Sequence, residues 1–556
     1  MAPLPRRRLA RAPRPQKGLH TRPGAPESPK SPRPSTAEAP SSPALLGPRS
    51  KYRCRRTCFR WLCWIRVVHP VLRRVFCRAG VVALPGRGSI DPSTRPSRPR
   101  MGCRGAPADG LPGGRVVGLA EVRRILREAW PLMLAEGVSS IVSLIDLAFV
   151  SRLGVTALAG VGVGSYAGWF LNVPLAAFYI GVLVLASQAL GAGRRDLADR
   201  IVGESFSAAM LAALPLAATG IAAAYELGLW LSSGDAGVAE AAAAYLRARL
   251  LGHSFFAAML VLDAAYRAAG ANRGILYGAA ATAIVNTVLD PILIYLAGLG
   301  VSGAGLATAA SYAAGTLVLA VRARGQAGYG SIVGVPRGLA VRVFRVGAPA
   351  MAERLLFAGG NLVYLAAVAR CGEAALAAHT IGIRIESLAF LPAFALSTYA
   401  SGEVGRLVGA GALEDAQRRG WSIAGASAAF MTFMALVLAG VSVPASLLLA
   451  PSGDVAKLVV AYLLLAAVSE PALGAVMSIG GAIRGAGNTL VPTLVNLIGL
   501  YLVRVAPAYI LVGRVASGIT CPLVAWLIMD IDVAVRAAAF AIIYRRYFSR
   551  LARRLV

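Results

Sequence analysis

Three aspartates sit inside apolar runs long enough to cross a bilayer: Asp146, Asp263 and Asp290. A charge at such a place is costly, so it marks function by default. Asn286 precedes Asp290 by four positions, which puts both on one face of a helix, and Thr308 follows on the next run. Carboxylates combined with amide and hydroxyl oxygens suit two tasks. They take up a proton, because burial disfavours the charged form, or they ligate Na⁺, a hard cation that prefers oxygen. The expected cation-coupling set is therefore Asp146, Asn286, Asp290 and Thr308, with H⁺ or Na⁺ as the ion. Asp263 and Glu470 are accessory candidates; Glu470 precedes Pro471 with no base close by in sequence. Each acid also has a plainer reading. Asp146 lies six residues before Arg152 and could sit near the membrane surface, Asp263 can pair with Arg267 one turn on, and Asp290 before Pro291 can end a helix. Asn286 and Thr308 are also ordinary bonders between helices. Glu353 beside Arg354 and Glu386 near Arg384 read as local ion pairs.

The elements that must hold these residues come in two copies. Pro131–Ala198 falls on Pro349–Ala416 without a gap, 218 positions on. Pro131 meets Pro349, Gly154 meets Gly372, Pro174 meets Pro392, and the run GAG at Gly191–Gly193 meets Gly409–Gly411. Arg267 and Gly270 recur as Arg484 and Gly487 at an offset of 217. Six apolar spans run from about 122 to 323 and six more from about 340 to 547, the fourth over about 239–269. The predicted fold is all-α and polytopic: twelve transmembrane helices in two parallel-repeat six-helix bundles. That plan places a transport site between or within the halves, near the bilayer midplane. The predicted division is a disordered or spurious Arg/Pro-rich tail over 1–118, a first lobe over 119–325, a linker over 326–340 and a second lobe over 341–556. Asp146 maps to Tyr364 and Asp290 to Pro507, so buried acids are expected in the first lobe alone. Pro131 lies on the same span as Asp146 and can bend it.

Charge separates the tail from the body. Of the 57 Lys and Arg residues, 25 fall in residues 1–120 against 4 Asp and Glu, so the basic character gives no warrant for nucleic-acid binding by the chain as a whole. The tail also reads as a transit peptide, and Trp61–Pro85 as a segment that lies on an anionic surface. In the body, arginines gather in alternate connections, for example Arg194, Arg195 and Arg200, then Arg418 and Arg419, while the loop near Gly298–Gly303 has no charge. The positive-inside bias then puts both termini in the cytoplasm. Cys371 and Cys521 stand far from the five tail cysteines, and nothing in the spacing suggests a disulfide framework or a zinc site. There is no GxxxxGK[ST] loop and no HExxH, so neither ATP hydrolysis nor zinc hydrolase chemistry is indicated, and no enzyme is expected.

With these residues in order, the chain over about 120–550 resembles the multidrug and toxic compound extrusion (MATE) family of the MOP superfamily, and within it the DinF-like prokaryotic branch. The likeness rests on IDLAFVSRLG around Asp146, SQALGAG at Ser187–Gly193, YRAAGANR at Tyr266–Arg273, NTVLDP at Asn286–Pro291 and GAGLATAAS at Gly303–Ser311, with GRLVGAG and IRGAGNT repeating the pattern. The resemblance implies a V-shaped pair of bundles. It implies export of amphipathic, often cationic organic compounds in exchange for inward H⁺ or Na⁺, with coupling at positions corresponding to Asp146, Asn286, Asp290 and Thr308. Pro131 is similar to a proline that bends the first span in that branch. Asp263 stands where Asn is frequent, and the span-seven glutamate of other branches has no clear counterpart, Phe357 being near that place. A monomer in a prokaryotic cell membrane is expected, with small organic substrates and lipid as its partners. The alternative is a flippase for lipid or lipid-linked precursors, which a basic cavity with mid-span arginines would favour; few such arginines are evident from sequence.

Overall fold

The computed structural model describes residues 118–514, 518 and 520–556. The expectations for residues 1–117, including the five tail cysteines and Trp61–Pro85, lie outside the described residues. The first half holds α1 (Leu119–Ser151), α2 (Val155–Gly191), α3 (Arg195–Ala222), the short α4 (Ala224–Leu231), α5 (Ala236–Leu250), α6 (His253–Ala269), α7 (Asn272–Leu296) and α8 (Gly300–Ala327). The second holds α9 (Gly338–Ala369), α10 (Glu373–Gly409), α11 (Leu413–Leu449), α12 (Gly453–Gly485), α13 (Leu490–Leu511) and α14 (Thr520–Leu551). No strand occurs among the described residues. Ten of the described helices are long and apolar enough to cross a membrane, and α5 with α6 makes an eleventh if that bent pair is one span. α14 has the length, at 32 residues, but carries Asp530, Asp532 and Arg536 in its middle.

The repeat holds locally and breaks in one place. Asp235 caps α5, its Oδ1 accepting from Val238 N at 3.0 Å, and Ser452, 217 positions on, caps α12 by accepting from Val455 N at 3.4 Å. From there the copies diverge. The predicted fourth span is two helices meeting at 57° around Leu251–Gly252, whereas α12 runs on as one helix of 33 residues. Close packing accompanies the bend, for a Cβ at Gly252 would lie 2.6 Å from the Ala309 Cα of α8.

Within the first half α1 packs on α7, α7 on α8, and α2 on α5 and α6; within the second, α12 packs against α10, α11 and α14. The halves meet where α2 crosses α9 and α10. Small residues let backbones touch there, as lipid-embedded helices require. A Cβ on Gly191 would overlap the Arg406 carbonyl oxygen, and one on Gly409 would overlap that of Gln188. Since 191 maps to 409 and 188 to 406, this crossing is reciprocal, like a two-fold interface made by one chain. The repeated GAG run thus has two jobs: its first glycine admits the partner backbone, and its last, Gly193 or Gly411 at φ 74° and 80°, turns the chain out of the helix. On the same arginine-rich face Gln188 Nε2 donates to the Gly485 and Arg553 carbonyls, and its Oε1 accepts from Leu555 N at 2.8 Å.

On the opposite face Cys371, just after α9, is disulfide-bonded to Cys521, the second residue of α14, with Cα atoms 5.5 Å apart. This corrects the reading of two isolated thiols. The partners are 150 residues apart, so no local spacing announced them.

Candidate functional site

α1 and α7 lie side by side, and their acids meet. The Asp146 and Asp290 carboxyls are close enough for one proton to bridge them, and the Asn286 amide lies beside Asp146. Asp290 is 0% exposed and Asn286 1%. Neither oxygen of Asp290, neither polar atom of the Asn286 amide, nor Oδ1 of Asp146 has a hydrogen-bond partner in bonding geometry. Buried polar groups are nearly always satisfied, so this concentration of orphans is unusual. Two ionised carboxylates facing each other repel, and the pair is relieved by a shared proton or a bound cation. Thr308 is buried on α8, which packs along α7; its hydroxyl donates to the Ala304 carbonyl at 2.9 Å and keeps its lone pairs for accepting. Oxygen donors of this kind fit Na⁺ as well as H⁺, although among the described residues no three His, Cys, Asp or Glu side chains gather around a metal position. The pair lies toward the arginine-poor ends of its helices rather than at their middle. Asp146 is five residues from the end of α1 and Asp290 six from the end of α7, at most about 9 Å at 1.5 Å per residue. Pro131 is buried inside α1, about four turns away.

Asp263 is elsewhere. It receives Arg267 Nε at 2.8 Å, and Arg267 reaches Glu136 of α1 at 3.1 Å and the Thr398 hydroxyl of α10 at 2.6 Å. The acid is thus held in a network that ties α6 to α1 and to the second half. The same pair exists again: Arg484 of α12 reaches both oxygens of Glu353 at 3.0 Å, and Thr493 and Asn496 complete that carboxylate. Glu353 therefore pairs with Arg484, not with its neighbour Arg354. In both halves the glutamate precedes its arginine by 131 positions. The offset of 217 that links Arg267 to Arg484 also links Glu136 to Glu353, a signal present in the sequence that the gapless alignment at 218 passes over.

The expectation that buried acids belong to the first lobe alone does not hold. Asp532 is 0% exposed and Glu470 1%. Asp532 accepts from Arg504 Nε at 2.9 Å and from Arg536 Nε and Nη2 at 2.9 and 2.7 Å. Room for this trio comes from Gly499, where a Cβ would meet both Arg536 and Asp532. Glu386 takes the Tyr462 hydroxyl rather than Arg384. Both oxygens of Glu470 are unpartnered, but the neighbouring acid, Glu386, acts on it only across space and makes no facing pair. Mid-span arginines are also commoner than expected, with Arg249, Arg354, Arg384 and Arg504 inside helices. Arg249 bonds to the Tyr312 hydroxyl at 3.2 Å and lies near enough to act on Asp146. Asp530, Asp532 and Arg536, spaced over seven residues of an apolar run, are the sign of the second-half cluster that the sequence does carry.

Known proteins give the same picture. The MatE family profile matches residues 131–292 and again 349–510, one match per half and 218 positions apart. Over 430 residues the chain is 27% identical to the probable multidrug resistance protein NorM of Thermotoga maritima, covering 75% of this chain and 91% of the relative. The NorM of Deinococcus radiodurans is 29% identical over 407 residues, covering 71% and 89%. Among solved structures the fold is similar to the Vibrio cholerae MATE transporter VcmN in its bent form, with a TM-score of 0.71, 20% identity and coverage of 78% and 98%.

Proposed function

This chain belongs to the MatE family, the multidrug and toxic compound extrusion family of the MOP superfamily, whose members are membrane transporters and not enzymes, and on that premise we propose that it exports small amphipathic organic compounds in exchange for inward H⁺ or Na⁺. The observation that carries this reading is the pairing of half-buried Asp146 with fully buried Asp290, with unpartnered oxygens on both. Such a pair has two states of different charge, with and without its cation. If the two arrangements of the bundles favour different states, ion and cargo are coupled. Asn286 and Thr308 complete the oxygen set. The names of the NorM relatives support small organic cargo. The arginine-rich connections support placing that face, and the C-terminus, in the cytoplasm. The Cys371–Cys521 bond then falls on the outer side, where oxidising conditions suit it.

Asp290→Asn tests the coupling. Purified protein in liposomes, given a pH or a sodium gradient separately, should move substrate with the wild-type pair and lose gradient-driven flux with the variant, while the variant still elutes as folded protein. Full flux by Asp290→Asn sinks the site. The second reading, a flippase for lipid or lipid-linked precursors, gains from the mid-span arginines; a lipid-scrambling assay on the same liposomes separates the two.

A further inference from the structure

A cavity of about 530 Å³ lies apart from the acid pair, between α2 of the first half and α9 and α10 of the second. Its first-half wall is aromatic: Tyr166 and Trp169 stack with ring planes 15° apart and centroids separated by 6.4 Å. Both rings are partly exposed, at 42% and 38%. Its other wall carries Arg384 and Arg504, and no carboxylate lines it. Arg384 is exposed and forms no ion pair among the described residues. Arg504 lies over the Tyr364 ring, 5.8 Å from its centroid. It shares its one carboxylate partner, Asp532, with Arg536, so two guanidiniums are matched by a single buried negative charge. Glu386 and Asp530 lie within reach of Arg504, but Glu386 takes the Tyr462 hydroxyl and neither acid lines the cavity.

From this arrangement we propose that the cavity binds aromatic organic anions: a flat ring on Tyr166 and Trp169, and a carboxylate or sulfonate head against Arg384. Guanidinium recognises such heads with paired, charge-assisted hydrogen bonds, and an indole face accepts a planar ring at little entropic cost. A cation would face an unpaired arginine and no carboxylate. The proposal rests on the exporter reading only for the fate of the bound anion, which it makes the cargo class of that reading.

The probe is 2-naphthalenesulfonate, titrated calorimetrically into the full chain in detergent. Its cationic counterpart, 2-naphthyltrimethylammonium, is titrated alongside. Wild type should bind the sulfonate and not the ammonium. Arg384→Gln should weaken sulfonate binding at least tenfold, and Trp169→Ala should weaken it several-fold. Arg384 holds no ion pair, so its variant should elute and melt as wild type does. Equal binding of the cation, or a change under twofold in Arg384→Gln, overturns the assignment. Repeating the titration in lipid discs with and without phosphatidylglycerol separates sources of the anion: loss of sulfonate binding in the phosphatidylglycerol discs overturns the aromatic part, and unchanged binding supports it. Binding is read at equilibrium with no gradient, so its failure leaves the exchange reading standing, and failure of exchange leaves this site standing.

Discussion

At one and the same place in the repeat, the two halves hold opposite chemistry. The first half has the half-buried Asp146 there, facing the buried Asp290, and Oδ1 of the one and both oxygens of the other are left without donors. The second has Tyr364, whose hydroxyl donates to the Ala525 carbonyl at 2.8 Å and whose ring carries Arg504. Asp532 then holds both buried arginines, with donors on each of its two oxygens. The difference teaches how to separate structural charge from functional charge in a duplicated scaffold. A buried acid whose oxygens are all engaged holds helices together, and losing it strands its partners. A buried acid that nothing matches is a cost the fold bears for some reason other than stability.

The strongest break of this comparison is Asp532→Ala. It leaves Arg504 and Arg536 buried with no counter-charge and should cost about 3–5 kcal/mol, seen as collapse of the monodisperse elution peak. Asp290→Ala should leave that peak intact; equal damage by both would erase the distinction. Next comes the disulfide, which only the second half has. Cys371→Ser with Cys521→Ser should remove about 2–4 kcal/mol and lower the thermal midpoint, with α9 and α14 loosening first in hydrogen exchange. An unchanged midpoint would mean that packing alone holds these ends. The reciprocal crossing sharpens the comparison from the other side, because here the halves should behave alike. Gly191→Ala and Gly409→Ala should each cost about 1–3 kcal/mol by pushing backbones apart, and a large difference between them would show that the symmetry is only apparent. Smallest are the paired caps. Asp235→Ala should cost about 1 kcal/mol, and Ser452→Ala less, in line with bonds of 3.0 and 3.4 Å; unfolding midpoints rank them.

Much of this is open to a reader of the sequence. The GAG runs, the paired prolines and the apolar spans carry the duplication, and Asn286 four residues before Asp290 places two polar groups on one face. Local periodicity can report such things because they repeat within a turn or across an evenly spaced copy. The hidden part is the part that needs distance. Asp532 meets Arg504 across 28 residues, Glu136 meets Arg267 across 131, and Cys371 meets Cys521 across 150. Chain spacing announces neither the first nor the last of these meetings, and the second shows only through its recurrence as Glu353 and Arg484 at an offset of 217. The bend between α5 and α6 escapes for a different reason: the copy in α12 is unbroken, so analogy between the halves argues for a straight helix.

The glycine crossing of α2 and α10 is built from main-chain atoms that never titrate. No proton or sodium ion can weaken it directly. On the proposed exchange, loading of the acid pair on α1 and α7 would leave this contact as it is, and Gly191 and Gly409 would be the fixed point about which the halves move. The C-terminal segment's bonds to Gln188 stand on one side of that crossing alone.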